Sequence, residues 1–270
     1  MPENSGRMKS CFYSFLTVIG IFALYIIVRE FGWFVLKWFH IPMENLIYTV
    51  LLDVVFSVVF AFFYWKYVKR PSPSKVFKPM PWFWFFFVSL VIIMWYFSQF
   101  LACYVVKNVH DPNYGNYANI VESNPQLYAF VAIILAPLSE ELLFRGLFYS
   151  ILKKSFSPVA AGLMAACLFA VSHLTLVHLP VAFTFGFFLA FIYEFTGCLR
   201  YSVLAHMFSN LLSFGILVPV PDFVVNVWTF WFIFAVLVVL VLVAWKYKDQ
   251  IYSYVMTPHL IDKWNEKEMK

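Results

Sequence analysis

Apolar residues run along this chain in long blocks, and the polar residues gather in the short stretches between them. A membrane-crossing helix needs roughly 20 mostly apolar residues. Blocks near that length fall at 10–28, 46–65, 82–106, 126–152, 157–178, 180–197, 201–219 and 223–245. The pattern predicts an all-α, polytopic membrane helix bundle of about eight transmembrane helices, forming a single domain over 1–270 with a candidate catalytic core at about 126–219. The first block follows Arg7 and Lys9. It exceeds the apolar core of a signal peptide and no small-residue cleavage site follows it, so a retained helix is expected. The segment from Phe31 to His40, rich in Phe and Trp and carrying Lys37, predicts a separate helix at the membrane surface.

Composition agrees. The chain is 63% hydrophobic and 12% charged, about half the charge of a soluble domain, which excludes a water-soluble fold. Aromatic residues make up 22%, suiting lipid-facing helices and the aromatic belts at their ends. The net charge of +5 does not call for a nucleic-acid partner, because 15 of the 19 Lys and Arg fall in segments that the positive-inside rule makes cytoplasmic. The loop from Lys66 to Lys78 is the most basic of these, and it sets both termini in the cytoplasm. The expected location is the cell membrane, multi-pass, with a bacterial plasma membrane as the expected setting. Cys11, Cys103, Cys167 and Cys198 form no CxxC pair and read as small apolar residues.

Within this apolar background a few residues stand out. An ionisable group near the bilayer centre carries a penalty of about 2.5–3.5 kcal/mol on insertion scales, so it marks function by default. The fourth block reads Ala136-Pro137-Leu138-Ser139-Glu140-Glu141-Leu142-Leu143-Phe144-Arg145-Gly146. Glu141 and Arg145, at i and i+4, share a face and can pair. Glu140 is turned about 100° from Glu141 and needs another partner, as a general base would. Pro137 frees a backbone carbonyl next to this cluster. The fifth block adds His173 and the seventh adds His206 and Asn210, again at i and i+4. Together these residues fit hydrolysis of an acyl bond: a Glu and a His to activate water, a second His and an Asn to hold the oxyanion. A Zn²⁺ held by Glu140, His173 and His206 is the alternative built from the same residues. No HExxH or GxSxG pattern occurs. The two SxxK spacings, Ser72 to Lys75 and Ser150 to Lys153, lie in basic segments expected outside the membrane.

The three runs Glu140-Glu141-x-x-x-Arg145, Phe169-x-x-x-His173 and His206-x-x-x-Asn210 resemble the three motifs of the CAAX protease and bacteriocin-processing (CPBP, or ABI) family of intramembrane proteases, in order and without departure. The resemblance covers roughly 126–219. It implies an intramembrane endopeptidase in which Glu140 and His173 activate water, His206 and Asn210 hold the oxyanion or a metal, and Glu141 with Arg145 fix the geometry of the fourth helix. It implies a membrane-associated or lipidated peptide or protein as substrate, in peptide or bacteriocin maturation, self-immunity or CAAX-type processing, with the lipid bilayer as its setting and with metal-dependent and metal-free mechanisms both represented.

Two rivals use the same polar cluster. A proton-coupled transporter also strings Glu, Arg and His across helices, but it usually shows inverted repeats, which this sequence lacks. A catalytically idle immunity or scaffold protein has no need to keep buried charges. Asp53, in the second block, reads as a structural hydrogen-bonding group. Gln99, Glu194, His40, His110 and His178, near block ends, read as solvated. Counting from the predicted helix ends puts His173 nearer the outer face and His206 nearer the inner one, so the predicted site is not level.

Overall fold

The computed structural model describes residues 2–40, 46–68, 76–109, 111, 124–215, 227–247 and 252–255. Over these residues the chain forms eight helices: α1 (Pro2–Trp38), α2 (Leu46–Tyr67), α3 (Pro81–Asn108), α4 (Pro125–Leu152), α5 (Pro158–Val171), α6 (His178–Thr196), α7 (Leu199–Gly215) and α8 (Val227–Lys246). They follow the eight apolar blocks one for one. By length and composition α1, α2, α3, α4 and α6 can each cross a membrane, while α5 is a shorter apolar helix. The protein is an all-α, multi-pass membrane protein. One antiparallel ribbon, β1 (Val76–Pro79) with β2 (Tyr252–Val255), is absent from the apolar pattern; it pairs Val76 with Val255 and Pro79 with Tyr252. His110, Glu122, the basic residues 69–75 and the tail beyond Val255 lie outside the described residues.

Two expectations need correction. The predicted surface helix at 31–40 does not exist separately: α1 runs unbroken for 37 residues, roughly 55 Å. No proline interrupts positions 3–41. Gly32 serves a close approach rather than a break, since a Cβ there would lie 1.2 Å from Tyr48 Oη on α2. The helix ends where His40 takes a left-handed φ of 53°.

The second correction concerns α5, which stops at Val171 instead of running to 178. Ser172 Oγ donates to the Phe169 carbonyl at 2.7 Å, and His173 Nδ1 lies 2.8 Å from the same oxygen. Side chains that bond their own backbone in this way compete with helix continuation, and Leu174 then turns left-handed with φ 55°. The chain restarts as α6, its approach fixed by Asp111, whose carboxylate accepts from the Val177 N–H at 3.2 Å. This early stop removes the mismatch in depth: His173 sits beneath the end of a short helix, and both it and His206 lie against the ring of Phe169, with centroids 4.8 and 5.9 Å away.

Aromatic side chains fill two clusters. One joins α1, α2, α4 and α5 through Tyr25, Phe56, Phe60, Phe144, Phe148 and Phe169. The other joins α3, α6, α7 and α8 through Phe83, Phe87, Phe97, Phe185, Phe188 and Tyr201. The polar residues singled out in the sequence lie where the two meet: His206 is flanked by Phe169 from the first and by Phe185, at 5.3 Å, from the second.

Candidate active site

Glu141 is the hub. It is fully buried, and Arg145, one helical turn on, donates from Nη1 to its Oε1 at 2.8 Å. The pairing expected from the i, i+4 spacing is present, with two further partners. His206 Nδ1 lies 2.9 Å from the same oxygen, and Ser202 Oγ donates to Oε2. Ser202 precedes His206 by four residues and so lies on its face of α7; that spacing was the available signal, and sequence reasoning missed it. Arg145 is also spent elsewhere: Nη2 donates to the Gly186 carbonyl at 2.8 Å and its Cζ sits 4.6 Å over the Phe169 ring. Gly186 makes room for this, because a Cβ there would stand 2.8 Å from Phe169 Cδ1 and 3.2 Å from Arg145 Nη2.

Glu140 faces another way, as its position on the helix requires. It is 19% exposed where Glu141 is 0% exposed, and its Oε2 lies 3.7 Å from His206 Nε2. His206 therefore stands between the two carboxylates. With Nδ1 on Glu141, the other ring nitrogen, Nε2, is turned toward Glu140. The gap exceeds a direct hydrogen bond. Among the described residues no hydrogen bond joins Glu140 to His173.

Asn210 does something the sequence did not suggest. Immediately before Pro137, residues Val131–Leu135 adopt π-helical winding, and the Ala136 N–H donates to the Val131 carbonyl five residues back. The next bond in that register would run from residue 137 to the Ala132 carbonyl, and proline has no N–H to give. Asn210 Nδ2 donates to that carbonyl instead, at 2.7 Å. A second π-helical stretch, Leu142–Tyr149, follows; such turns are rare and concentrate at functional sites. Glu140 and Glu141 lie on the six α-helical residues between them.

Helices α1 and α2 also reach the site. Ser139 Oγ donates to Asp53 Oδ1 at 3.2 Å, so Asp53 makes the structural hydrogen bond expected of it. Tyr25 packs on Phe144 at 6.4 Å and on Phe56 at 5.1 Å. One turn from each of these rings stand Arg29, Glu140 and Asp53, whose charges act on one another. Arg29 thus belongs to this layer. Gln99 and Glu194 are likewise not simply solvated: Gln99 donates to Ser213 Oγ at 3.2 Å, and Glu194 accepts from Tyr149 Oη at 2.7 Å and pairs with Lys153.

The Zn²⁺ set expected from sequence, Glu140, His173 and His206, is not drawn into one cluster in this structure. Among the described residues no three His, Cys, Asp or Glu side chains gather closely enough to hold a metal ion. Each imidazole has one nitrogen on a protein acceptor, His206 on Glu141 and His173 on Phe169, which leaves the other nitrogen open, an arrangement that metal-binding histidines share.

Comparison with known proteins points the same way as the geometry. Residues 122–212 match the family described as Type II CAAX prenyl endopeptidase Rce1-like. A protein of Bacillus subtilis (strain 168) named "Putative membrane peptidase YdiL" is 29% identical over 92 residues, 34% of this chain and 37% of that relative. The match thus spans little more than a third of either protein. No solved structure matches.

Proposed function

We propose that this chain is an intramembrane endopeptidase of the CPBP type in which Glu140 is the general base, a reading supported by the match of residues 122–212 to the Type II CAAX prenyl endopeptidase Rce1-like family. One observation carries this reading: Glu140 and His206 Nε2 face each other across 3.7 Å while a buried carboxylate holds the other side of the imidazole. A water beside that gap donates one hydrogen to Glu140 and the other to the Nε2 lone pair. Both contacts raise its nucleophilicity. As its oxygen bonds to the substrate carbonyl carbon, Glu140 takes the proton, and it returns that proton to the departing amine nitrogen as the C–N bond breaks. Glu141 keeps His206 in the tautomer and orientation this needs. The second N–H of the Asn210 amide, not used on Ala132, is the donor proposed for the oxyanion. His173, beneath the end of α5, borders the same space through Phe169.

The substrate is proposed to be a membrane-associated peptide or a lipidated protein, because the exposed surface of α1, α2 and α3 carries large apolar side chains along its length. Bacteriocin or peptide maturation, self-immunity and CAAX-type processing are the settings to be tested. The experiment uses protein purified in detergent with fluorogenic peptides and membrane-peptide precursors. Wild type is compared with Glu140→Ala, His206→Ala and His173→Ala at equal folded amounts, with a chelator arm and metal add-back. Cleavage by the wild type, with Glu140→Ala and His206→Ala slower by about 10²–10⁴, the usual weight of acid–base catalysis, supports the mechanism. Equal cleavage by Glu140→Ala overturns it.

A further inference from the structure

At the far end of α4 from Pro125, the helix ends leave an open cleft of about 400 Å³ bounded by Val68, Tyr149, Lys153, Lys154, Tyr193 and Glu194. Its volume is that of a small-ligand site, and it shares no residue with the active site.

The polar groups of the cleft are arranged but not exhausted. Glu194 Oε2 accepts from Tyr149 Oη at 2.7 Å and pairs with Lys153; its Oε1 takes no partner among the described residues. The Tyr193 hydroxyl lies 3.4 Å from Tyr64 Oη and 3.5 Å from Ser150 Oγ, so it is braced rather than free to swing. Lys154 makes no ion pair among the described residues and is exposed. The cleft therefore offers a fixed carboxylate oxygen able to accept and an ammonium able to donate.

Its depth is marked by α2, whose last residues, Trp65, Lys66 and Tyr67, adjoin Val68. Trp65 and Tyr67 are exposed, and Lys66 Nζ lies over the rings of Phe62 and Tyr67 at 5.6 and 5.1 Å. Amphipathic aromatics and a lysine at a helix end are the signature of the lipid headgroup region. Basic pockets between helices at that depth hold lipid phosphates.

We infer that this cleft binds the headgroup of a membrane lipid carrying both a phosphate and a primary ammonium, which is the chemistry of phosphatidylethanolamine. The phosphate is held by Lys154 and Lys153, the ammonium donates to Glu194 Oε1, and the glycerol and chains lie over Val68 toward the apolar face of α2. A purely anionic headgroup leaves Glu194 facing negative charge. A trimethylated headgroup has no N–H to give it. Both are disfavoured.

Native mass spectrometry tests this without any substrate: purified wild type is offered phosphatidylethanolamine, phosphatidylcholine and phosphatidylglycerol of one chain length at equal concentration. Wild type is expected to retain phosphatidylethanolamine about tenfold better than phosphatidylcholine, the scale of one charge-assisted hydrogen bond. Lys154→Gln, an exposed and structurally mild change, should lower that retention by a similar factor. Glu194→Gln should erase the preference over phosphatidylcholine while sparing phosphatidylglycerol. Equal retention of all three lipids, a preference for phosphatidylglycerol, or an unaffected Lys154→Gln variant overturns the inference. So does thermal protection by inorganic phosphate as large as that by the lipid, which would mark a site for free phosphate.

Discussion

If Asn210 stands in for the hydrogen that Pro137 lacks, the two residues must be energetically coupled although α7 and α4 are far apart in sequence. Asn210→Ala leaves the Ala132 carbonyl without its 2.7 Å donor. Leaving such a group unpaired away from water costs about 1–3 kcal/mol. Interhelical hydrogen bonds in membranes average less, about 0.6 and at most about 1.7 kcal/mol, so a loss of roughly 1–1.5 kcal/mol is expected. In a Pro137→Ala background residue 137 regains its N–H, which can donate to the Ala132 carbonyl in the π register already used by Ala136, or to the Ile133 carbonyl in the α register, where the Ala136 N–H turns to Ala132, once the proline ring no longer crowds the preceding turn. There Asn210→Ala should cost under about 0.5 kcal/mol, a coupling near 1 kcal/mol by the double-mutant cycle. The assay is equilibrium unfolding in mixed micelles of the four proteins, followed by helical circular dichroism. Losses that add, with Asn210→Ala equally damaging in both backgrounds, would refute the account and return Asn210 to a purely catalytic role.

Other changes test the rest of the site. Arg145→Met strands the buried Glu141 charge and removes the contacts to Gly186 and Phe169, so it should destabilise by about 3–5 kcal/mol, whereas Glu141→Gln with Arg145→Met together should recover part of that loss in the same unfolding assay. Gly186→Ala pushes a methyl to 2.8 Å from Phe169 and 3.2 Å from Arg145; overpacking of this kind costs about 1–3 kcal/mol, and a neutral effect on melting would show that the backbone approach is not needed. Glu140→Gln keeps the shape of the side chain but cannot take a proton, so turnover should fall by about 10²–10⁴ with melting unchanged. Asp53→Asn keeps an acceptor for Ser139, so its effect on melting should stay within about 1 kcal/mol; a larger drop would mean that the charge itself holds α2 to α4.

Much of this architecture was legible because the membrane imposes long apolar blocks, and a block either fits a helix or does not. Helix ends set by side chains were harder. Nothing in the apolar pattern distinguishes an α5 that ends at Val171 from one that continues to 178, because Leu174, Leu176 and Val177 extend the block. The end is decided by Ser172 and His173 both bonding one carbonyl. The α1 error was the reverse: surface-like composition at 31–40 suggested a break, yet no residue there forces one, and the missing Cβ of Gly32 was taken up by Tyr48.

Within the site, sequence spacing is informative along one helix and silent between helices. The Glu141–Arg145 pair follows from i and i+4 alone, and Ser202 with His206 could have been read the same way. That both converge on Glu141 depends on how α7 lies across α4, which no local rule gives. The same limit explains Asn210. Its spacing from His206 suggested two donors acting on one substrate atom, whereas its partner is a carbonyl orphaned by Pro137 on another helix. Proline in a membrane helix is tolerated only where a neighbour satisfies the freed carbonyl, so a buried proline implies that a donor faces it. Here the donor is a motif residue next to the proposed base. Its pin on α4 and its proposed hold on the oxyanion draw on the two hydrogens of one amide, so the fold of α4 around Glu140 and the chemistry proposed for Glu140 depend on the same side chain.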